Sequence, residues 1–101
     1  MQTEHDLQNL IRLELSKLGW TTFRLNVGKV KMTDGRWFDT GLPAGFSDLI
    51  ALKDGETVFI EVKIPGGRLS KNQFVFLEQM KKNGFKAGAV YSLEDVFDLI
   101  N

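Results

Sequence analysis

The chain has no cysteine. That excludes a disulfide-stapled scaffold and any zinc site built on thiolates. Its single histidine, His5, argues against a multi-histidine metal centre or a site needing two imidazoles. There is no net charge: 13 Lys and Arg balance 13 Asp and Glu, so a polybasic tail is excluded. No apolar run approaches the ~20 residues needed to span a bilayer, and no signal-peptide pattern is visible. The expected setting is therefore the cytoplasm, with no membrane partner. Repeats, low-complexity tracts and linkers are also missing. What remains is 101 residues, 43% hydrophobic and 26% charged. This is the composition of one ordinary globular domain covering residues 1–101.

A balanced total does not exclude nucleic acid, because phosphate binding depends on where charges sit. Residues 24–71 carry eight basic and six acidic side chains, an excess of +2, and each flank is −1. If Asp48 and Glu61 bind metal, as argued below, the rest of that segment is +4. An evenly mixed solvated surface is the competing reading of these charges.

Residues 3–18 have the pattern of a helix. Thr3 stands as N-cap, with Glu4 and Asp6 in the first turn. Leu7, Leu10, Ile11, Leu15 and Leu18 recur at helical spacing, and Gly19 ends the element. Residues 20–27 are rich in β-branched and aromatic side chains and form a strand. Residues 29–33 and 36–39 flank Asp34-Gly35, a dipeptide favoured in two-residue hairpins. A loop at 41–45 leads to two further strands, 47–53 and 56–64, around a second such dipeptide, Asp54-Gly55. Pro65-Gly66-Gly67 breaks the chain. Ser70 and Gln73 then have the spacing of a capping box, with Leu69 and Phe74 at the positions of a hydrophobic staple. This helix ends near Asn83-Gly84. A strand at 85–91 and a helix at 92–100 close the chain. The order predicts an α/β fold with a mostly antiparallel central sheet flanked by helices and a late crossover strand.

The second hairpin carries the chemistry. In a two-residue turn at Asp54-Gly55, opposed residue numbers sum to a constant, which sets Lys53 against Glu56 and Asp48 against Glu61. Opposed side chains have Cβ atoms about 4.5–5.5 Å apart. Alternation puts Lys63 on the face of Glu61, with Ile60, Val62 and Ile64 on the other. Two carboxylates and an ammonium then converge at the end of a strand pair. Opposed like charges are destabilising. Lys63 can offset them as a plain ion pair, but a shared hard cation does so better, and Mg²⁺ suits one or two carboxylates plus waters and a phosphate oxygen. A lysine beside such an ion can orient or deprotonate a water or stabilise developing charge. These parts suffice for phosphodiester hydrolysis. The plainer alternative makes Asp48 a strand-start residue and Glu61 and Lys63 solvated strand charges.

Gly45-Phe46-Ser47-Asp48 followed by Glu61-Val62-Lys63 resembles the D…(D/E)xK signature of the PD-(D/E)xK nuclease superfamily, with Ser47 at the position that is often proline. More narrowly, the chain resembles a virus-type replication-repair nuclease (VRR-NUC) domain. The likeness extends from Glu4 through Gly19-Trp20 and Arg24-Leu25-Asn26-Val27-Gly28. It continues through Phe59 to Lys63 and Gly67-Arg68-Leu69-Ser70 with Gln73. The resemblance implies a restriction-endonuclease-like core and a Mg²⁺-dependent endonuclease, with Mn²⁺ able to substitute. By position, Asp48, Glu61 and the Val62 main-chain carbonyl would bind metal. Lys63 would position the attacking water or stabilise charge. Gln73 would support the site from its helix, and Glu4 would be an outer acid near a second metal or in the ligand shell. Stand-alone members imply a homodimer acting on branched DNA such as four-way (Holliday) junctions in DNA repair, with no small-molecule substrate.

The supporting residues each have a plainer reading. Glu4 extends the inward stripe of its helix, yet an acid at a helix N-terminus is favourable in itself; Glu14 is a rival. Gln73 is explained by the capping box alone, and serving cap and site together is more than one side chain is expected to do fully. Arg24, Asn26, Lys29 and Lys31 lead into the first hairpin, where Lys29 and Lys31 share a face that could meet phosphates. Arg68, Ser70 and Lys71 surround a helix N-terminus, which favours anions through free N–H groups. Trp37 and Phe38 are adjacent in a hairpin, so one of them should point away from its sheet face, towards a base or a subunit, or under a helix. His5 receives no role. Two other classes compete with the endonuclease: a non-catalytic nucleic-acid-binding module of the same fold, and a small assembly protein with fortuitous acids.

Overall fold

The computed structural model describes residues 1–25, 27 and 29–101. Helix α1 (Glu4–Lys17) begins on a capping box in which the Thr3 hydroxyl accepts from Asp6 N–H and the Asp6 carboxylate accepts from Thr3 N–H, each at 3.0 Å. Strands β1 (Thr21–Arg24), β2 (Lys29–Lys31), β3 (Trp37–Asp39), β4 (Leu49–Lys53) and β5 (Glu56–Val62) follow. Helix α2 (Lys71–Lys82), strand β6 (Lys86–Val90) and helix α3 (Leu93–Ile100) complete the chain. Four strands form the central sheet in the order β1-β4-β5-β6, and β2-β3 form a separate ribbon. Neighbours β1/β4 and β4/β5 are antiparallel, while β5/β6 are parallel through the α2 crossover. The fold is α/β with a mixed sheet and three helices, as the element order predicts.

The Asp54-Gly55 turn sets the register. Asp54 has φ 51° and Gly55 φ 78°, the left-handed pair that matches strand twist in a two-residue hairpin. Lys53 pairs with Glu56 and Leu49 with Ile60, the predicted register. Strand alternation then divides the core. Val58, Ile60 and Val62 pack with Leu7, Ile11, Leu15 and Val96 on the face covered by α1 and α3. Phe59 packs with Leu77, Ala87, Phe46, Phe76 and Met80 on the α2 face. The position between Ile60 and Val62 therefore points its side chain towards α2, and that position is Glu61.

The structure departs from the expectations in several places. The strand after α1 stops at Arg24 rather than 27, β2 ends at Lys31 rather than 33, β4 begins at Leu49 rather than 47, and β5 ends at Val62 rather than 64. At the start of α2, Leu69 joins the core beneath the helix and Phe74 is 54% exposed. Trp37 and Phe38 are both exposed, at 64% and 57%. Among the described residues no helix is long and apolar enough to cross a membrane.

Candidate active site

Loop 41–46 enters the site under tight constraint. Gly45 has φ +96°, and a Cβ built there would lie 2.6 Å from the Asn72 carbonyl oxygen. Only glycine lets this loop press against the first turn of α2. The next residue, Phe46, packs at a tilt against Phe76 with ring centroids 4.5 Å apart and meets Phe59 edge-on at 6.1 Å. Ser47 is fully buried and its hydroxyl donates to the Leu49 carbonyl at 3.0 Å. Asp48 follows, where the chain enters β4.

The β4/β5 ladder ends at Leu49 and Ile60, and one step further the Asp48 carboxylate takes over the pairing. Its Oδ2 accepts the Val62 N–H at 2.9 Å, while the Asp48 carbonyl accepts from Leu25 N–H at 2.8 Å. In an antiparallel ladder a residue's N–H and C=O leave the strand on the same edge. The Val62 carbonyl therefore points towards Asp48 as well.

Glu61 is 2% exposed. Its Oε1 accepts from Gln73 Nε2 at 2.9 Å and faces Lys63 Nζ at 4.0 Å. Its Oε2 is buried without a hydrogen-bond partner. Burial pushes its pKa up to about 8, and the negative Asp48 carboxylate beside it pushes the same way; the Lys63 ammonium pulls in the other direction. An ordinary folded carboxylate does not keep an orphaned buried oxygen next to a second acid, because such an oxygen loses its full hydration. The donor set is what a hard cation takes: carboxylate oxygens and a main-chain carbonyl, with further positions open to water or a phosphate oxygen. The residues present fit a magnesium-type ion.

Lys63 is largely buried, held by its main-chain bond to Val90 and by a stem lying against Gly67. The Gly67 carbonyl accepts from the Tyr91 hydroxyl at 3.1 Å. The breaker segment is thus pinned to the end of β6, a contact that no spacing in the sequence announces. Gln73 makes the contacts that both of its expected roles call for. Its Oε1 accepts the Ser70 N–H at 2.9 Å while its Nε2 donates to Glu61. The expectation that one side chain could not do both is corrected: an amide has an acceptor end and a donor end, and each faces a different partner.

Glu4 lines an open cavity of about 370 Å³ with His5, Gln8, Arg24, Leu25, Val27 and Asp48. Glu14 lies elsewhere, ion-paired to Lys17 at 3.2 Å. Among the described residues no three His, Cys, Asp or Glu side chains gather closely enough to hold an ion, so Glu4 stands outside the Asp48–Glu61 pair. Arg24 projects into the same cavity, its Nη1 3.2 Å from His5 Nδ1. No motif or spacing singles out that histidine. Lys29 and Lys31 are exposed on the ribbon, and Arg68 and Lys71 are exposed around the start of α2. Ser70 accepts the Gln73 N–H as the α2 N-cap. Asn26 lies outside the described residues.

The VRR-NUC domain family model matches residues 2–94. A solved structure described as a VRR_NUC domain superposes with a TM-score of 0.70 at 25% identity, covering 96% of this chain and 92% of that one. A comparison with curated proteins finds no match. The family match runs through α1, the whole sheet and α2, so every element that supplies the carboxylates, the lysine and the amide falls within it. The chain belongs to the VRR-NUC domain family, and its function is of the nuclease type.

Proposed function

We propose that the domain is a divalent-metal-dependent DNA endonuclease that hydrolyses phosphodiester bonds at the Asp48–Glu61 pair. The observation that carries this reading is the Glu61 Oε2, buried, unpartnered and beside a second carboxylate. Asp48, Glu61 and the Val62 carbonyl would hold the ion. Bound Mg²⁺ or Mn²⁺ supplies Lewis acidity to a phosphate oxygen and acidifies an attacking water. The other groups belong to the chain. Gln73 fixes Glu61 through Oε1 and leaves Oε2 without a protein partner, free for a cation. The Lys63 ammonium lies on the same side as Glu61 Oε1; it orients the attacking water or stabilises the charge that grows on the phosphate. Glu4, across the adjoining cavity, is an outer acid that orders solvent around that water. Arg24, Asn26, Lys29, Lys31, Arg68, Ser70 and Lys71 contact the DNA backbone.

The preferred substrate is branched DNA, four-way junctions among them, cut by a homodimer. The support is geometric: one domain offers one carboxylate pair, a symmetric junction presents two strands, and a C₂ pair matches that symmetry. The test is cleavage of labelled linear, flap and four-way DNA in Mg²⁺ and in Mn²⁺. Cleavage should require the metal, favour branched substrates and fall at least about 100-fold in Asp48→Ala. Undiminished cutting by that variant would reject the site. Binding without cleavage of any substrate would favour the non-catalytic module instead.

A further inference from the structure

We propose that the β2-β3 ribbon is a stacking platform for unpaired DNA bases, with Trp37 as the surface on which a base lies and Lys29 and Lys31 as contacts to the flanking phosphates. The inference rests on the nuclease reading and deepens it, since it assigns the part of the substrate that the carboxylate pair does not touch.

Register places these side chains together. Lys31 pairs with Trp37 and Lys29 with Asp39. Directly opposed residues share a sheet face and neighbours along a strand alternate, so Lys29, Lys31, Trp37 and Asp39 lie on one face and Phe38 on the other. Trp37 is the most exposed aromatic of the described residues. The acids nearby are already engaged. Asp34 is bound by Arg36 at 2.7 Å, and the Asp39 Oδ1 accepts the Gly41 N–H at 2.9 Å. Among the described residues neither lysine ammonium forms an ion pair. A large open π-face flanked by two uncommitted cations complements a nucleotide, which offers a flat base and an anionic backbone. An uncharged protein surface would gain little from that pair of lysines.

The ribbon is also rooted at the candidate active site. The chain leaves the central sheet at Leu25, whose N–H is bonded to the Asp48 carbonyl, and comes back into it at Asp48. Lys29 is four residues beyond Leu25, a reach of at most about 14 Å. A strand whose phosphate lies at Asp48 and Glu61 therefore has nucleotides within range of the ribbon. Bases inside a duplex are stacked on one another, so the platform takes bases at a branch point, a flap or a frayed end.

The test uses single-stranded oligothymidylate, blunt duplex and four-way DNA in EDTA, so that binding is read without cleavage. Trp20 is 8% exposed, which leaves Trp37 as the residue whose fluorescence responds. Single-stranded and four-way DNA should quench the exposed component. Trp37→Ala should abolish the quenching and weaken oligothymidylate binding at least about fivefold, with blunt-duplex affinity little changed. Trp37→Phe should recover part of the affinity, and Phe38→Ala, on the opposite face, should keep the quenching. Equal losses in Trp37→Ala and Phe38→Ala would show a fold effect and overturn the platform. So would Trp37→Ala binding every substrate as the wild type does, or a switch from dimer to monomer by light scattering with single-strand affinity intact. The two readings fail differently: a wild type that cuts DNA while Trp37→Ala binds normally sinks only the platform, whereas a wild type that binds no DNA sinks both.

Discussion

Gln73 donates to Glu61 across 2.9 Å from the N-terminal turn of α2, and the other end of the same amide closes the helix cap. Folding of α2 and orientation of the buried acid are therefore one event. The two roles separate by substitution. Gln73→Glu keeps an acceptor for the Ser70 N–H, as a capping box allows, but removes the donor to Glu61. It should leave α2 helical by circular dichroism and lower cleavage about tenfold or more, the scale of a lost hydrogen bond to a charged group. Gln73→Ala should lose the same activity and, in addition, about 1 kcal/mol of stability in urea unfolding, on the scale of a lost cap interaction. Cleavage at the wild-type rate in Gln73→Glu would reduce Gln73 to a cap.

The raised pKa of Glu61 makes a signed prediction for stability. The unfolded chain titrates this group near 4.5 and the folded chain near 8. Below 4.5 both states hold the proton and nothing is lost. Between the two values the folded state binds the proton that the unfolded state has released, so stability falls as pH rises. In EDTA the melting temperature should decline from about pH 5 to pH 8, and Glu61→Gln should flatten that decline. Divalent metal competes with the proton, so Mg²⁺ should raise the melting temperature more at pH 8 than at pH 5. An EDTA profile identical in wild type and Glu61→Gln would contradict the buried protonated acid.

Gly45 is a structural requirement of the site. Gly45→Ala combines a strained left-handed backbone, about 1–2 kcal/mol, with a clash against main chain at Asn72. It should lower the melting temperature by roughly 4–8 °C per kcal/mol and reduce cleavage through displacement of Asp48. Gly41→Ala makes the comparison, since its φ is +84° but an added Cβ meets nothing within 4 Å. That variant should carry the backbone strain alone. Equal melting temperatures in the two variants would contradict the close approach to Asn72.

Much of this architecture is legible in short-range chemistry. The Asp54-Gly55 dipeptide dictates its turn, the turn dictates the register, and the register brings Asp48 and Glu61 together at the end of β4 and β5. The Ser70–Gln73 spacing announces the start of α2 in the same local way. What the sequence conceals depends on contacts between distant segments. Glu4 extends the inward stripe of its helix and Glu14 lies near it; the docking of α1 beside β1 brings Glu4 into the cavity at Asp48. The Gly45–Asn72 approach, the Tyr91–Gly67 bond and the Arg24–His5 contact join residues 19 to 27 positions apart, and no periodicity records them.

The most direct measurement is calorimetric titration of Mn²⁺ into metal-free protein and into the isosteric variants Asp48→Asn and Glu61→Gln. Expected is saturable binding to the wild type, accompanied by proton release at pH 7, and loss of that binding in both variants. Absence of binding to the wild type, or binding that survives both substitutions, would contradict a cation held between these two carboxylates.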